Sequence, residues 1–144
     1  MMDNRPIGVF DSGVGGLTVV NALSKVLPNE SIYYVGDTAR VPYGNKSKSS
    51  ILKFSLQITK WLLKQNCKII VIACNTASSL ALSHLKSNLS TSIIGVIDPA
   101  IKHAQMKTKN KQIGVLGTRA TINSNIYSSR FKELDKKISV ISKA

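Results

Sequence analysis

The segment that most limits the folds open to this chain is the junction at residues 68–85. Lys68 is followed by four β-branched apolar residues, Ile69-Ile70-Val71-Ile72, which are typical of a strand buried on both faces of a sheet. Cys74 comes two residues later, and apolar residues then recur at helical spacing, at Ala77, Leu80, Ala81 and Leu85. A buried strand that leads through a short turn into a helix predicts an α/β fold with a parallel sheet.

The same alternation of strand and helix patterns extends along the chain. Short apolar segments predict five strands, and a sixth begins near the end: residues 6–10, 31–35, 67–72, 92–97, 112–116 and 138–141. Parallel strands joined by helices form right-handed units. We therefore expect an α/β fold with an open parallel sheet built from βαβ units.

The positive charge of the chain rises toward its end. The 144 residues have a formal net charge of +13, of which residues 1–60 contribute +3 and residues 61–144 contribute +10. Lysine clusters are one sign of a nucleic-acid surface. However, these clusters lack interleaved aromatic residues, and arginine is scarce. We therefore expect a solvated lysine-rich face without nucleic acid, whose field also attracts small acidic substrates.

Compartment and metal content are indicated by two further features. No apolar run approaches the length of a membrane span, and the N-terminal segment lacks the apolar core of a signal peptide. The two cysteines, Cys67 and Cys74, form neither a disulfide framework nor a metal-ligand spacing. We therefore expect a protein of the reducing cytoplasm with no membrane partner and no metal.

Polar residues follow the predicted strands, and in a parallel sheet these positions meet at one edge. They are Asp11, Ser12, Asp37, Thr38, the segment Cys74 to Thr76, Asp98 and Thr118. Helix N-termini at this edge suit a bound carboxylate and favour a thiolate over a thiol at Cys74. With Asp11 adjusting its affinity for protons, Cys74 is a candidate for acid–base or nucleophilic chemistry. The alternative is an ordinary buried cysteine, because free cysteines are among the most buried residues.

The glycine-rich loop after the first strand partly imitates a dinucleotide-binding fingerprint, with Asp37 about twenty residues further on. That fingerprint needs a third glycine where Thr18 stands, and a phosphate loop needs a Gly-Lys-Ser/Thr sequence that does not follow here. Asp11 at the mouth of the loop would also repel a pyrophosphate. Nucleotide binding is therefore the less favoured interpretation.

Three long motifs occur in order along the chain: GVFDSGVGGLTV at residues 8–19, YVGDTARVPYG at residues 34–44 and IACNTAS at residues 72–78. Asp98-Pro99 and the segment GVLGTRAT at residues 114–121 add to them. Together these motifs resemble the glutamate racemase family, within the aspartate/glutamate racemase superfamily. The resemblance covers nearly the whole chain.

This resemblance implies cofactor-independent interconversion of L- and D-glutamate, which supplies D-glutamate for peptidoglycan in cell-wall biogenesis and for cell shape. It implies that Cys74 is a catalytic thiolate with Asp11 as its supporting carboxylate. The substrate-binding residues that it implies are Asp11, Ser12, Tyr43, Gly44, Asn75 and Thr76, with Thr118 and Thr121 as a further polar region.

The sequence departs from the family in one catalytic group. The family uses a second cysteine, in a Gly-Cys-Thr-His segment, on the opposite face of the substrate, and this sequence lacks that segment. Cys67 does not replace it, because seven residues of strand place it about 23 Å from Cys74. We therefore expect little or no racemisation by the chain alone.

The resemblance also implies a division of the chain and an unfinished fold. Residues 1–98 would form most of a first α/β domain, and residues 99–144 would begin a second one that is incomplete at the C-terminus. Unfinished sheet edges and uncovered apolar faces favour association, so we expect a homo-oligomer. Two other functions stay open: a non-catalytic binding module for an acidic ligand or nucleic acid, and a racemase of aspartate or a related acid.

Overall fold

The structure is a computed structural model that describes residues 3–144. Its six strands are β1 (Ile7–Asp11), β2 (Ile32–Gly36), β3 (Ile69–Ile72), β4 (Ser92–Gly95), β5 (Gln112–Leu116) and β6 (Ser139–Lys143). Its helices are α1 (Leu17–Val26), α2 (Lys48–Lys64), α3 (Asn75–Asn88), α4 (Ile97–Lys107), α5 (Arg119–Asn123) and α6 (Ile126–Leu134). A 3₁₀ turn at Tyr43–Asn45 precedes α2.

Four strands form one parallel sheet in the order β2-β1-β3-β4. Ile7 of β1 lies opposite Ile32 of β2 on one side and Ile69 of β3 on the other. Every residue of β1 is buried, because helices cover both faces of the sheet. Apolar residues of α2 and α3 pack on one face, and those of α1 pack on the other. The predicted α/β fold with parallel βαβ units is confirmed.

The remaining two strands, β5 and β6, pair in parallel as a separate sheet. A third apolar cluster supports this sheet, formed by Ile97 and Ile101 of α4, Phe131 of α6 and Ile138. We refer to residues 7–95 as the four-stranded unit and to residues 97–143 as the two-stranded unit. The division of the chain into residues 1–98 and 99–144 remains our proposal, and it falls in the first turn of α4.

Two local features differ from the prediction. The fourth strand ends at Gly95, because Val96 adopts a helical conformation and Ile97 begins α4. Asp98 therefore lies in the first turn of this helix, where its carboxylate forms an ion pair with Arg130 at 3.6 Å. It does not belong to the polar group at the sheet edge, contrary to the sequence prediction. The connection between β5 and β6 contains two helices, α5 and α6, because Asn125 between them adopts a left-handed conformation with φ of 54°.

Within residues 3–144, no helix has both the length and the apolar character needed to cross a membrane.

Candidate active site

A cleft of about 400 Å³ lies where the strands of the four-stranded unit end at their carboxyl termini. Its wall is formed by residues that follow β1, β3, β4 and β5, together with residues at the start of α1: Asp11, Ser12, Gly15, Thr18, Val19, Ala73, Cys74, Asn75, Thr76, Val96 and Thr118. Six of the nine site residues implied by the resemblance line this cleft. The other three, Tyr43, Gly44 and Thr121, do not line it.

Cys74 is the N-cap residue of α3, and its side chain lines the cleft. Its Sγ atom accepts a hydrogen bond from the backbone N–H of Ala77 at 3.4 Å and donates one to Ser12 Oγ at 3.4 Å. The helix N-terminus and the N–H group both stabilise negative charge on sulfur. Cys74 is therefore a buried cysteine, at 6% exposure, whose sulfur lies at a helix N-terminus and lines the cleft.

Cys67 lies before β3, whereas Cys74 follows the end of that strand. Burial raises the pKa of the Cys67 thiol, which disfavours its reactive thiolate form. A methyl group on Gly8 would lie 3.1 Å from its Sγ atom, so this sulfur fills space against the first strand. Cys67 does not line the cleft.

Asp11 ends β1 and holds the loop that leads into α1. One carboxylate oxygen, Oδ2, accepts hydrogen bonds from the backbone N–H groups of Gly13 at 3.1 Å and Gly16 at 3.0 Å. Gly16 must be a glycine here, because a methyl group would lie 2.6 Å from the Asp11 Cβ atom and 3.0 Å from the Ala73 Cβ atom. The buried carboxylate is thus fixed beside the start of α1.

Tyr34 of β2 was not identified from the sequence as part of this region. Its phenol donates a hydrogen bond to the Gly13 carbonyl oxygen at 2.8 Å, and so it fixes the residue that follows Ser12. Burial, with smaller contributions from the charges of Asp11 and Cys74, raises the pKa of this phenol. The apolar pattern of its strand predicted β2, but nothing in that pattern indicated a role for the hydroxyl.

Three threonine hydroxyl groups meet at the boundary of the two units. Thr76 Oγ1 lies 2.9 Å from Thr118 Oγ1 and 3.2 Å from Thr121 Oγ1, and the latter two are 3.0 Å apart. Thr118 is also the N-cap residue of α5, where its side chain accepts a hydrogen bond from the Thr121 N–H group. Thr121 is buried and supports the other two without reaching the cleft.

Tyr43 and Gly44 lie outside the cleft wall. The Tyr43 phenol is buried and donates a hydrogen bond to the carboxylate of Asp37, which also forms an ion pair with Arg40 at 2.8 Å. Burial, followed by the hydrogen bond to Asp37, raises the pKa of the Tyr43 phenol. Asp37 is therefore buried, Thr38 is exposed, and neither residue lines the cleft. The prediction that both belong to the polar group at the sheet edge is wrong.

Gly44 contacts Thr118 of the two-stranded unit. A methyl group on Gly44 would lie 2.5 Å from the Thr118 Cβ atom, so the absence of a side chain lets Thr118 reach Thr76. Gly44 thus acts on the cleft through Thr118.

Comparison with known proteins agrees with this arrangement. Residues 15–142 match the family described as Asp/Glu/Hydantoin racemase. The chain belongs to this family. The predicted resemblance is confirmed.

Individual relatives of this racemase-family chain are named as glutamate racemases. The protein from Sulfurihydrogenibium sp. (strain YO3AOP1) is 51% identical over 140 residues, which are 96% of this chain and 54% of the relative. One from Streptococcus thermophilus (strain ATCC BAA-491 / LMD-9) is 48% identical over 98% of this chain and 52% of the relative. This racemase-family chain therefore spans about half the length of the curated relatives it matches.

Solved structures show the same fold. A glutamate racemase isoform from Bacillus anthracis superposes with a TM-score of 0.94 at 43% identity, over 98% of this chain and 53% of that chain. The glutamate racemase of Francisella tularensis, solved in complex with D-glutamate, superposes with a TM-score of 0.89 at 45% identity, over 98% of this chain and 53% of that chain.

Proposed function

We propose that this chain carries the glutamate-binding cleft of a glutamate racemase together with one of its acid–base groups, the thiolate of Cys74. The observation that carries the proposal is the position of the Cys74 Sγ atom, at the N-terminus of α3 and on the wall of a cleft shared with the carboxylate of Asp11. The names of the relatives supply the class of substrate. Asp11, Ser12, Asn75, Thr76 and Thr118 are the proposed binding groups on the cleft wall.

In the proposed step, the Cys74 thiolate removes the α-proton of glutamate, and the proton passes to sulfur. The electron pair of the broken C–H bond delocalises into the α-carboxylate, whose growing negative charge needs hydrogen-bond donors. The cleft supplies the α3 N-terminus and the hydroxyl groups of Thr76 and Thr118 for this purpose. The Cys74 thiol then returns a proton to the same face of the carbon.

Inversion needs a second acid–base group on the opposite face. Among the described residues that line the cleft, Cys74 carries the one thiol. We therefore propose that the 144-residue chain exchanges the α-proton of one enantiomer and inverts glutamate slowly or not at all.

The experiment is incubation of the chain with D-glutamate or L-glutamate in D₂O, with loss of the α-proton signal followed by ¹H NMR. We expect exchange into one enantiomer, loss of exchange in Cys74→Ser and retention of exchange in the matched control Cys67→Ser. Absence of exchange in the unaltered chain, or equal rates in both cysteine variants, would contradict the proposed function. Aspartate in place of glutamate tests the choice of substrate, and we expect slower exchange.

The proposal extends to the biological setting. We propose a cytoplasmic protein that needs no cofactor or metal and contributes D-glutamate to peptidoglycan, and hence to the cell wall and cell shape. We also propose association with a second copy. The outward face of the β5–β6 sheet supports this, because Leu116 and Ile141 are 85% and 73% exposed there, and parallel sheets are normally covered on both faces.

A further inference from the structure

The side chain of Asn75 forms a hydrogen bond between the two units of the chain. Asn75 is the first residue of α3, is exposed and lies on the cleft wall. Its Oδ1 atom accepts a hydrogen bond from the phenol of Tyr127, with 2.7 Å between the two oxygens. Tyr127 is the second residue of α6. The contact therefore joins the helix that carries Cys74 at its N-cap to the two-stranded unit.

This contact decides which end of the Asn75 carboxamide is free. A carboxamide has one accepting oxygen and one donating NH₂ group. Because Tyr127 occupies the oxygen, the NH₂ group remains, and no group in residues 3–144 accepts a hydrogen bond from it. A carboxylate ligand needs donors, and a reversed carboxamide would present it with an oxygen.

The phenol of Tyr127 is itself held in place. The Tyr127 side chain packs against the apolar cluster of the two-stranded unit, which includes Ile97 and Phe131. A tyrosine phenol is protonated at physiological pH, and burial raises the pKa of this one further, so Tyr127 can act as a donor. The half-buried ring is thus packed on this cluster, while its hydroxyl group reaches the exposed Asn75 carboxamide.

We propose that Tyr127 is a positioning residue that holds the Asn75 carboxamide with its NH₂ group free for a carboxylate in the cleft. The nature of the ligand rests on the function proposed above, whereas the orientation of Asn75 does not. Tyr127 acts through Asn75 and does not itself line the cleft.

The first measurement compares the unaltered chain with Tyr127→Phe, which removes the hydroxyl and keeps the ring. Titration with D-glutamate and L-glutamate followed by ¹⁵N NMR gives the affinity, and ¹⁵N relaxation of the Asn75 Nδ2 group gives its mobility. We expect greater mobility of Nδ2 and about fivefold weaker binding, equivalent to one neutral hydrogen bond. The matched control is Tyr33→Phe, because Tyr33 is exposed and its hydroxyl makes no hydrogen bond within the described residues. Unchanged Nδ2 mobility in Tyr127→Phe would overturn the proposal.

A double-mutant cycle separates positioning from general support of the fold. In an Asn75→Ala background, we expect Tyr127→Phe to weaken glutamate binding no further, because its effect passes through the carboxamide. An equal loss in both backgrounds would overturn the proposal. If the unaltered chain binds neither enantiomer, the proposed function fails, and Nδ2 mobility alone decides the positioning: increased mobility in Tyr127→Phe supports it, and unchanged mobility refutes it.

Discussion

Gly44 and Thr118 lie so close together that a methyl group on Gly44 would be 2.5 Å from the Thr118 Cβ atom and 2.7 Å from its Cγ2 atom. Both distances are shorter than non-bonded carbon atoms can approach. The 3₁₀ turn before α2 and the N-terminus of α5 can therefore approach this closely only because residue 44 has no side chain. Thr118 in turn reaches the hydroxyl of Thr76 on the cleft wall.

The first prediction concerns Gly44→Ala. The new methyl group must displace Thr118, and overpacking of this kind lowers the free energy of unfolding by about 1–3 kcal/mol. We also expect weaker glutamate binding, because Thr118 and Thr76 separate. Urea denaturation and calorimetric titration measure the two effects. Gly114→Ala is the matched control, since a methyl group there meets nothing within 4 Å. Equal stability of the two variants would show that Thr118 moves aside freely.

A second prediction separates the charge of Asp11 from its hydrogen bonds. Asp11→Asn retains an oxygen that can accept from Gly13 and Gly16 but has no negative charge. We expect a stability change below about 1 kcal/mol and at least about tenfold slower α-proton exchange. Asp11→Ala loses the hydrogen bonds as well, and we expect its free energy of unfolding to be about 1–3 kcal/mol lower than that of the unaltered chain. Exchange by Asp11→Asn at the unaltered rate would refute a role for the charge.

The third prediction concerns the Thr118 hydroxyl. Thr118→Val keeps the shape of the side chain but removes both the cap of α5 and the hydrogen bond to Thr76. Loss of such a cap costs about 1 kcal/mol of stability. Thr118→Ser, which retains the hydroxyl, is the control and should stay close to the unaltered chain in thermal denaturation. A larger loss in the serine variant would mean that the methyl group matters more than the hydroxyl.

The fourth prediction is a dependence on alkaline pH. The phenols of Tyr34, Tyr43 and Tyr127 all have raised pKa values, chiefly because of burial. A raised pKa means that the folded chain favours the protonated phenol. Its stabilising effect is complete below the unfolded pKa of about 10 and disappears as the pH rises through the folded pKa. Absorbance at 295 nm should show that phenolate forms at higher pH in the folded chain than in the chain unfolded by urea. Coincident titration curves would contradict it.

The fifth prediction tests association through the β5–β6 face. Leu116 and Ile141 share this face, because Gly114 lies opposite Ile141 and residues 114 and 116 point to the same side. Replacing both residues with lysine should shift the chain toward the monomer in light scattering at high concentration. The control is Val26→Lys, an exposed apolar position on α1 in the four-stranded unit. A monomeric unaltered chain, or equal association of all variants, would refute the proposed face.

Much of the fold could be predicted from the sequence for a local reason. The run Ile69-Ile70-Val71-Ile72 is apolar throughout because both faces of β3 are covered, and that burial is visible in the chemistry of consecutive residues. Because parallel strands end at one edge, the positions of Asp11 at the end of β1 and Cys74 just beyond β3 sufficed to predict that both line one cleft.

The elements beyond α3 were less visible in the sequence. The sequence predicts a fourth strand that runs to residue 97, two residues beyond the end of β4, because apolar residues such as Val96 and Ile97 suit a strand and a buried helix alike. Asp98 was therefore expected at the cleft and instead pairs with Arg130 on α6.

The sequence by itself determined where β1, β3 and β5 end to within one residue, because the apolar character of a buried strand is a local pattern. The tertiary structure alone decided that Tyr127 orients Asn75, that Gly44 admits Thr118 and that Asp37 is buried with Tyr43. The contacts of Tyr127 and Thr118 join the two units across many residues of chain. They depend on how the helices pack against each other, and this packing cannot be predicted from short-range periodicity in the sequence.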